Sequence, residues 1–241
     1  MNTDTSNVPI KLEQRTAAKV AGLSCLIAMA IVIFGNYALL NPLIVARDAT
    51  ETARNITAHQ TQLRIVLTCF LTYSVGVVVL LSALYIILKP VNRGLALAGA
   101  FFRLVFAMLW LLTALNLLSA LRLLGTAPYL QTFETDRLQI LARLLVAASF
   151  DDYYVGLPFF ALASTVCSYL WFKSNYIPRA LAGFGLISSA WCVLCAFVFL
   201  IFPGFDKPVD PYWFDSPMAI FEIALSFWLL IKGLRPPVFR P

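Results

Sequence analysis

The sequence predicts an all-α fold: a polytopic membrane protein built as a bundle of six transmembrane helices, with N- and C-termini cytoplasmic. Three observations carry that expectation. Of the 241 residues, 61% are hydrophobic and 12% charged, against about 25% charged in an ordinary soluble domain. The apolar residues gather into six stretches edged by charge, at about residues 20–40, 65–88, 95–124, 153–172, 180–202 and 216–231. The bases that edge those stretches fall mainly on one side. A helical rise of about 1.5 Å per residue suits stretches of this kind to a hydrocarbon core of about 30 Å.

The elements follow in order. The first stretch comes after a polar leader, Met1–Lys19, and precedes Asn41-Pro42 without a small-residue cleavage site. It is longer than a signal-peptide core and reads as a retained span. Proline cannot extend a helix and restricts the residue before it, so Asn41-Pro42 ends this one. Residues 48–59 read as an outer amphipathic helix with Ala49, Ala53 and Ile56 on its small face. The second and third spans are joined by the tight turn Lys89-Pro-Val-Asn-Arg93. Residues 133–150 form a second outer amphipathic segment, with Leu138, Leu141, Leu145 and Ala148 at helical spacing. This is either an interfacial helix or an outward extension of the fourth span. Gly156 and Pro158 invite a kink there. The connection Pro203–Pro211 is rich in helix breakers and reads as irregular. Residues 1–241 thus make a single transmembrane domain.

Orientation follows from lysine and arginine near the span ends. Lys11, Arg15, Lys19, Lys89, Arg93, Lys173, Arg179, Lys232, Arg235 and Arg240 share one side of a six-span arrangement. Asp48, Glu51, Glu134, Asp136, Asp151, Asp152, Asp206, Asp210 and Asp215 share the other, with fewer bases among them. The base-rich side is the cytoplasmic one. Tyr37, Tyr129, Tyr153, Tyr154, Tyr212 and Trp213 mark the outer interface; Tyr85, Trp171, Tyr176 and Trp228 mark the inner one.

Several functions are disfavoured. The net charge of +6 sits at helix ends, where lipid headgroups and topology account for it, so nucleic acid is not an expected partner. Cys25, Cys69, Cys167, Cys192 and Cys195 all fall inside spans and form no disulfide framework. Cys192-x-x-Cys195 lacks a second such pair or a nearby histidine, and reads as small packing residues. There is no HExxH, GxSxG or phosphate-cradling loop, and His59 lies in a polar loop. No catalytic, cofactor-binding or metal residues are assigned, and no cofactor is expected.

Two charges stand where lipid should forbid them. Arg103 follows Arg93 by ten residues and Glu222 precedes Lys232 by ten, which places both about 15 Å from the inner boundary. A charge at mid-bilayer costs about 2.5–3.5 kcal/mol on insertion scales, so such groups turn inward and find partners. Ala96, Gly99, Ala100 and Ala107 surround Arg103, and Ala219 and Ser226 flank Glu222. Small residues mark helix–helix contact in membranes. The reading is an intramembrane ion pair between the third and sixth spans, serving either as a structural clamp or as the floor of a substrate or proton site. A second, outer polar cluster comprises Asn36, Asn116, Asp151, Asp152 and Tyr154, with Tyr37 and Tyr153 beside it. It reads as a solvated interface, or as an outer-leaflet pocket for a lipid or small amphiphile. The acidic pair alone is a weak metal motif.

Leu88-Lys-Pro-Val-Asn-Arg93, Leu95-Ala-Leu and Phe102-Arg103-Leu-Val105 resemble the central motif of a bacterial membrane family catalogued as domain of unknown function 4386. Ala18-Lys-Val-Ala-Gly22, Asp48-Ala-Thr, Ala53-Arg-Asn-Ile56, Tyr176-Ile-Pro-Arg179, Phe221-Glu222-Ile and Leu229-Leu-Ile-Lys-Gly233 extend the resemblance over nearly the whole chain. It implies an integral protein of the bacterial cytoplasmic (inner) membrane, and Arg103 and Glu222 match positions commonly Arg and Glu in that family. Ser149–Tyr154 departs from a His-Gly stretch that members often carry. The leading expectation is an uncharacterised multi-pass inner-membrane protein that binds a small hydrophobic or amphiphilic ligand from the bilayer. A transporter or channel subunit using Arg103 and Glu222, a regulatory or partner-binding protein, and an intramembrane enzyme follow in that order.

Overall fold

Apolar runs bounded by polar turns dictate helices, and the computed structural model, which describes residues 10–46, 48–202 and 212–236, is helical throughout its regular elements. The first helix, α1 (Leu12–Ile33), passes into a π-helical turn, Phe34–Leu40, and a 3-10 turn, Asn41–Leu43. Pro42 opens that last turn, where its missing N–H costs nothing, and the backbone is extended by Ile44. The widened π turn has no signature in the sequence reading.

The short α2 (Ala49–Ala58) is capped by Asp48, whose carboxylate accepts from the Glu51 amide at 2.9 Å. Thr52, Ala53 and Ile56 form its buried face. Next come α3 (Gln60–Leu88) and α4 (Arg93–Leu123); Asn92 caps α4 by accepting from the Leu95 amide. The long α5 (Thr135–Ser174) joins most of the second amphipathic segment to the fourth apolar stretch in one helix of 40 residues that runs through Pro158 without a break. Of the two expectations for residues 133–150, the extension is the one observed. At helical rise α5 is about 60 Å long, twice the thickness of a hydrocarbon core. The chain continues with α6 (Arg179–Ile201) and α7 (Tyr212–Ile231). Residues 203–211, with the expected irregular connection and its acids, lie outside the described residues, as do Arg47, Asp4, Arg240 and the side chain of Tyr212.

Five helical segments are long and apolar enough to cross a membrane: Leu12–Leu43, Gln60–Leu88, Arg93–Leu123, Thr135–Ser174 and Arg179–Ile201. Their surfaces match that solvent. On α6 every buried residue is small (Ala182, Gly185, Ser188, Ser189, Cys192, Cys195 and Ala196). Its bulky Phe184, Ile187, Trp191, Leu194 and Phe197 are exposed. Water would drive those large apolar groups inward; lipid tails do not, and helices then approach through their smallest side chains.

The helices contribute to two compact units. One draws on the described residues of Met1–Ile27, Gly76–Phe106 and Gly156–Pro241. Its α1 face is built from Ala17, Ala18, Ala21, Gly22 and Cys25, all buried. A Cβ on Gly22 would lie 2.6 Å from the Ser226 carbonyl oxygen of α7. Gln14 is buried and donates to the Ile87 carbonyl at 3.2 Å and to the Tyr176 hydroxyl at 3.4 Å. The Arg235 amide donates to the Tyr176 carbonyl at 2.9 Å. Trp171 and Tyr176, expected at the inner interface, are thus core side chains of this unit.

The other unit comprises Ala28–Val75 and Ala107–Val155. Its core is aromatic around Trp110, which meets Phe70 and Tyr73 edge-on, each at 4.9 Å between centroids. Leu63, Val66, Phe70, Leu117 and Val146 are fully buried beside it.

Candidate functional site

Arg103 occupies the buried face of α4 that also carries Ala96, Gly99, Phe106 and Ala107. Helical periodicity therefore aims its guanidinium inward, and the same argument holds for Glu222 between Met218, Leu225 and Ser226 on α7. The structure brings the two together, with Arg103 Nη2 donating to Glu222 Oε1 at 2.5 Å. The residues are only 4% and 6% exposed. The guanidinium carbon lies 5.0 Å from the centroid of the Phe160 ring on α5, a cation–π contact, and Phe160 stacks on Phe106 at 4.7 Å. Ser226 Oγ donates to the Glu222 carbonyl at 2.7 Å, and Ser189 Oγ to Ser164 Oγ at 2.9 Å.

The pair borders a small cavity of about 20 Å³ lined also by Cys25, Ser164, Cys167, Trp171 and Ser226. Arg103 Nε and Trp171 Nε1 have no hydrogen-bond partner among the described residues. A void needs roughly 10–15 Å³ to hold one water, so this one has the size of a single water and not of a solute. The arrangement can hold two helices in register and neutralise two charges. It offers no room for a substrate.

Gly99 serves a different seam from the one expected. A Cβ on Gly99 would lie 3.3 Å from Cys167 Sγ, which faces Gly99 toward α5 rather than α7. The close approaches to α7 come from Gly22 of α1 and Gly185 of α6. The repeat Ala17, Ala21, Cys25 on α1, at intervals of four, carried the signal for that contact. Nothing in the local sequence distinguishes Phe160 from other apolar residues of its span.

The second polar cluster includes hydrogen bonds between α4 and α5. Asn116 Nδ2 donates to Asp152 Oδ2 at 2.8 Å, and one turn away Thr113 Oγ1 donates to the Ser149 carbonyl at 3.3 Å, together tying α4 to α5. Tyr154 is half-buried with its ring 5.7 Å from that of Tyr153. Asp151 is exposed at the next position of α5, and Asn36 is half-buried in the π-helical turn. Among the described residues no group of three or more His, Cys, Asp or Glu gathers as a metal site would need. Hydrogen bonds between membrane helices average about 0.6 kcal/mol. Asn116→Leu should therefore lower the thermal midpoint in detergent by only a few degrees, which a melting series against wild type checks.

These features define a helical membrane-type protein with a buried charge pair inside one of its two units. The chain belongs to the family described as Domain of unknown function (DUF4386), whose sequence profile matches residues 20–233. It is similar to an uncharacterised protein of Archaeoglobus fulgidus, with 28% identity over 153 residues, covering 64% of this chain and 74% of the relative. No solved structure matches it.

Proposed function

We propose that this chain is a six-span protein of the cytoplasmic membrane, both termini inside, that binds a small amphiphile on its lipid-facing side. One comparison of sizes supports the reading. The cavity at Arg103 and Glu222 measures about 20 Å³, whereas an open groove between α1 and α3 measures about 680 Å³. Small-molecule sites occupy about 300–1,000 Å³, so the groove suits a ligand and the interior does not. Transport through the interior would need a wet path to Arg103 or Glu222, and the tightness of that cavity argues against one in this conformation.

As the sixth span we take α7. Its 20 residues reach about 30 Å, and its one mid-helix charge is paired. The count decides topology, because five spans would put the termini on opposite faces. Green fluorescent protein fused to either terminus should fluoresce, and alkaline phosphatase fused to either should be inactive. Active phosphatase at one terminus alone would remove the sixth span. Organic extraction of the detergent-purified protein should release an amphiphile at a fixed molar ratio. An extract that merely mirrors bulk lipid would remove the ligand.

A further inference from the structure

The groove has a chemical polarity of its own. Its walls are apolar, from Leu12, Ala17 and Val20 on α1 and Val78, Val79 and Ile86 on α3. From Glu13 to Val20 it follows seven residues of α1, about 10 Å. An acid lines it and a base stands just beyond the lining. Glu13 lines it, and Lys89 Nζ lies 4.0 Å from Glu13 Oε1. That separation exceeds the roughly 2.7–3.2 Å of a hydrogen bond, so neither group uses its hydrogen-bonding capacity on the other. Both side chains are substantially exposed, at 61% and 41%. Arg15 and Lys19 are exposed on the same end of α1.

We infer that this groove binds one glycerophospholipid with a primary-ammonium headgroup, drawn from the leaflet that faces the N-terminus. The inference rests on the groove being the ligand site and names the ligand. An acyl chain lies along the valines, the headgroup ammonium donates to the Glu13 carboxylate, and the phosphate accepts from Lys89. A zwitterion satisfies both charges at once, an anionic lipid only one. A trimethylated choline head has no N–H to give to Glu13.

Native mass spectrometry of the full chain tests this. Phosphatidylethanolamine, phosphatidylcholine and phosphatidylglycerol of matched acyl chains would be supplied in equal amounts. The ethanolamine lipid should be retained over each of the others by about fivefold, the scale of one charged contact near a membrane surface. Glu13→Gln should erase that preference while leaving phospholipid bound. Lys89→Gln should weaken all three. Ser82→Trp, at an exposed wall position, should abolish the adduct, and Ile187→Trp, on exposed α6 surface, should not. Equal retention of the three lipids by wild type overturns the headgroup assignment while leaving the groove as a site. An adduct that persists in Ser82→Trp overturns the groove itself. A shift from dimer to monomer in Ser82→Trp with lipid retention unchanged assigns the groove to a second copy and overturns the inference.

Discussion

Neutralising one member of the central pair, by Arg103→Ala or Glu222→Gln, should nearly eliminate folded protein. Removing one partner of a buried ion pair costs about 3–5 kcal/mol, because the remaining charge is left desolvated and unpaired. That is a large part of the roughly 5–15 kcal/mol by which a typical protein is stable. The readout is the monodisperse fraction on size exclusion in detergent, together with the melting midpoint. Two double variants make the test specific. Arg103→Met with Glu222→Leu removes both charges and should recover most of the folded yield, since an apolar replacement of a buried pair is often neutral or better. Arg103→Glu with Glu222→Arg should recover only part. Phe160, 5.0 Å from the Arg103 guanidinium carbon, would then face a carboxylate and lose about 0.5–2 kcal/mol of cation–π attraction. Doubles no better than the singles would show that the two residues do not stabilise one another.

Gly185→Ala should also destabilise the fold, by less than the loss of a charge but measurably, despite adding one methyl group. Its Cβ would come 2.4 Å from two carbons of the Phe221 ring, and Phe221 is only 2% exposed. Overpacking of this kind costs about 1–3 kcal/mol, occasionally more, against about 1 kcal/mol of helix propensity that alanine returns. Relief would come by moving α7 away from α6. Phe221 adjoins Glu222, so the displacement would loosen the ion pair as well. Phe221→Leu in the Gly185→Ala background should restore part of the lost melting temperature by clearing the clash. A Gly185→Ala protein that melts like wild type would mean that α6 and α7 do not meet at this point.

Much of the helical layout was legible because lipid imposes long apolar runs and short polar turns, and both are local properties. The pairing of Arg103 with Glu222 was legible for a related reason: helical rise converts residue counts into distance. The continuity of α5 was less so. Asp151-Asp152 looks like a border, because acids favour an interface, yet Asp152 binds Asn116 and Asp151 is exposed without disturbing the helix backbone. The expectation that Gly99 on α4 marks contact with α7 misjudged which neighbour uses it. Smallness reveals that some helix comes close, not which one. Phe160 beneath the guanidinium and the groove between α1 and α3 depend on how distant segments meet, and no local pattern encodes that.

The division of α6 into a slim side and a bulky side has a consequence for its chemistry. In water, polarity tells a helix which way to turn; here girth does. Girth limits that seam to narrow side chains, and at Gly185 even a methyl group is too wide. The two thiols at Cys192 and Cys195 stand on that slim side as spacers of suitable width.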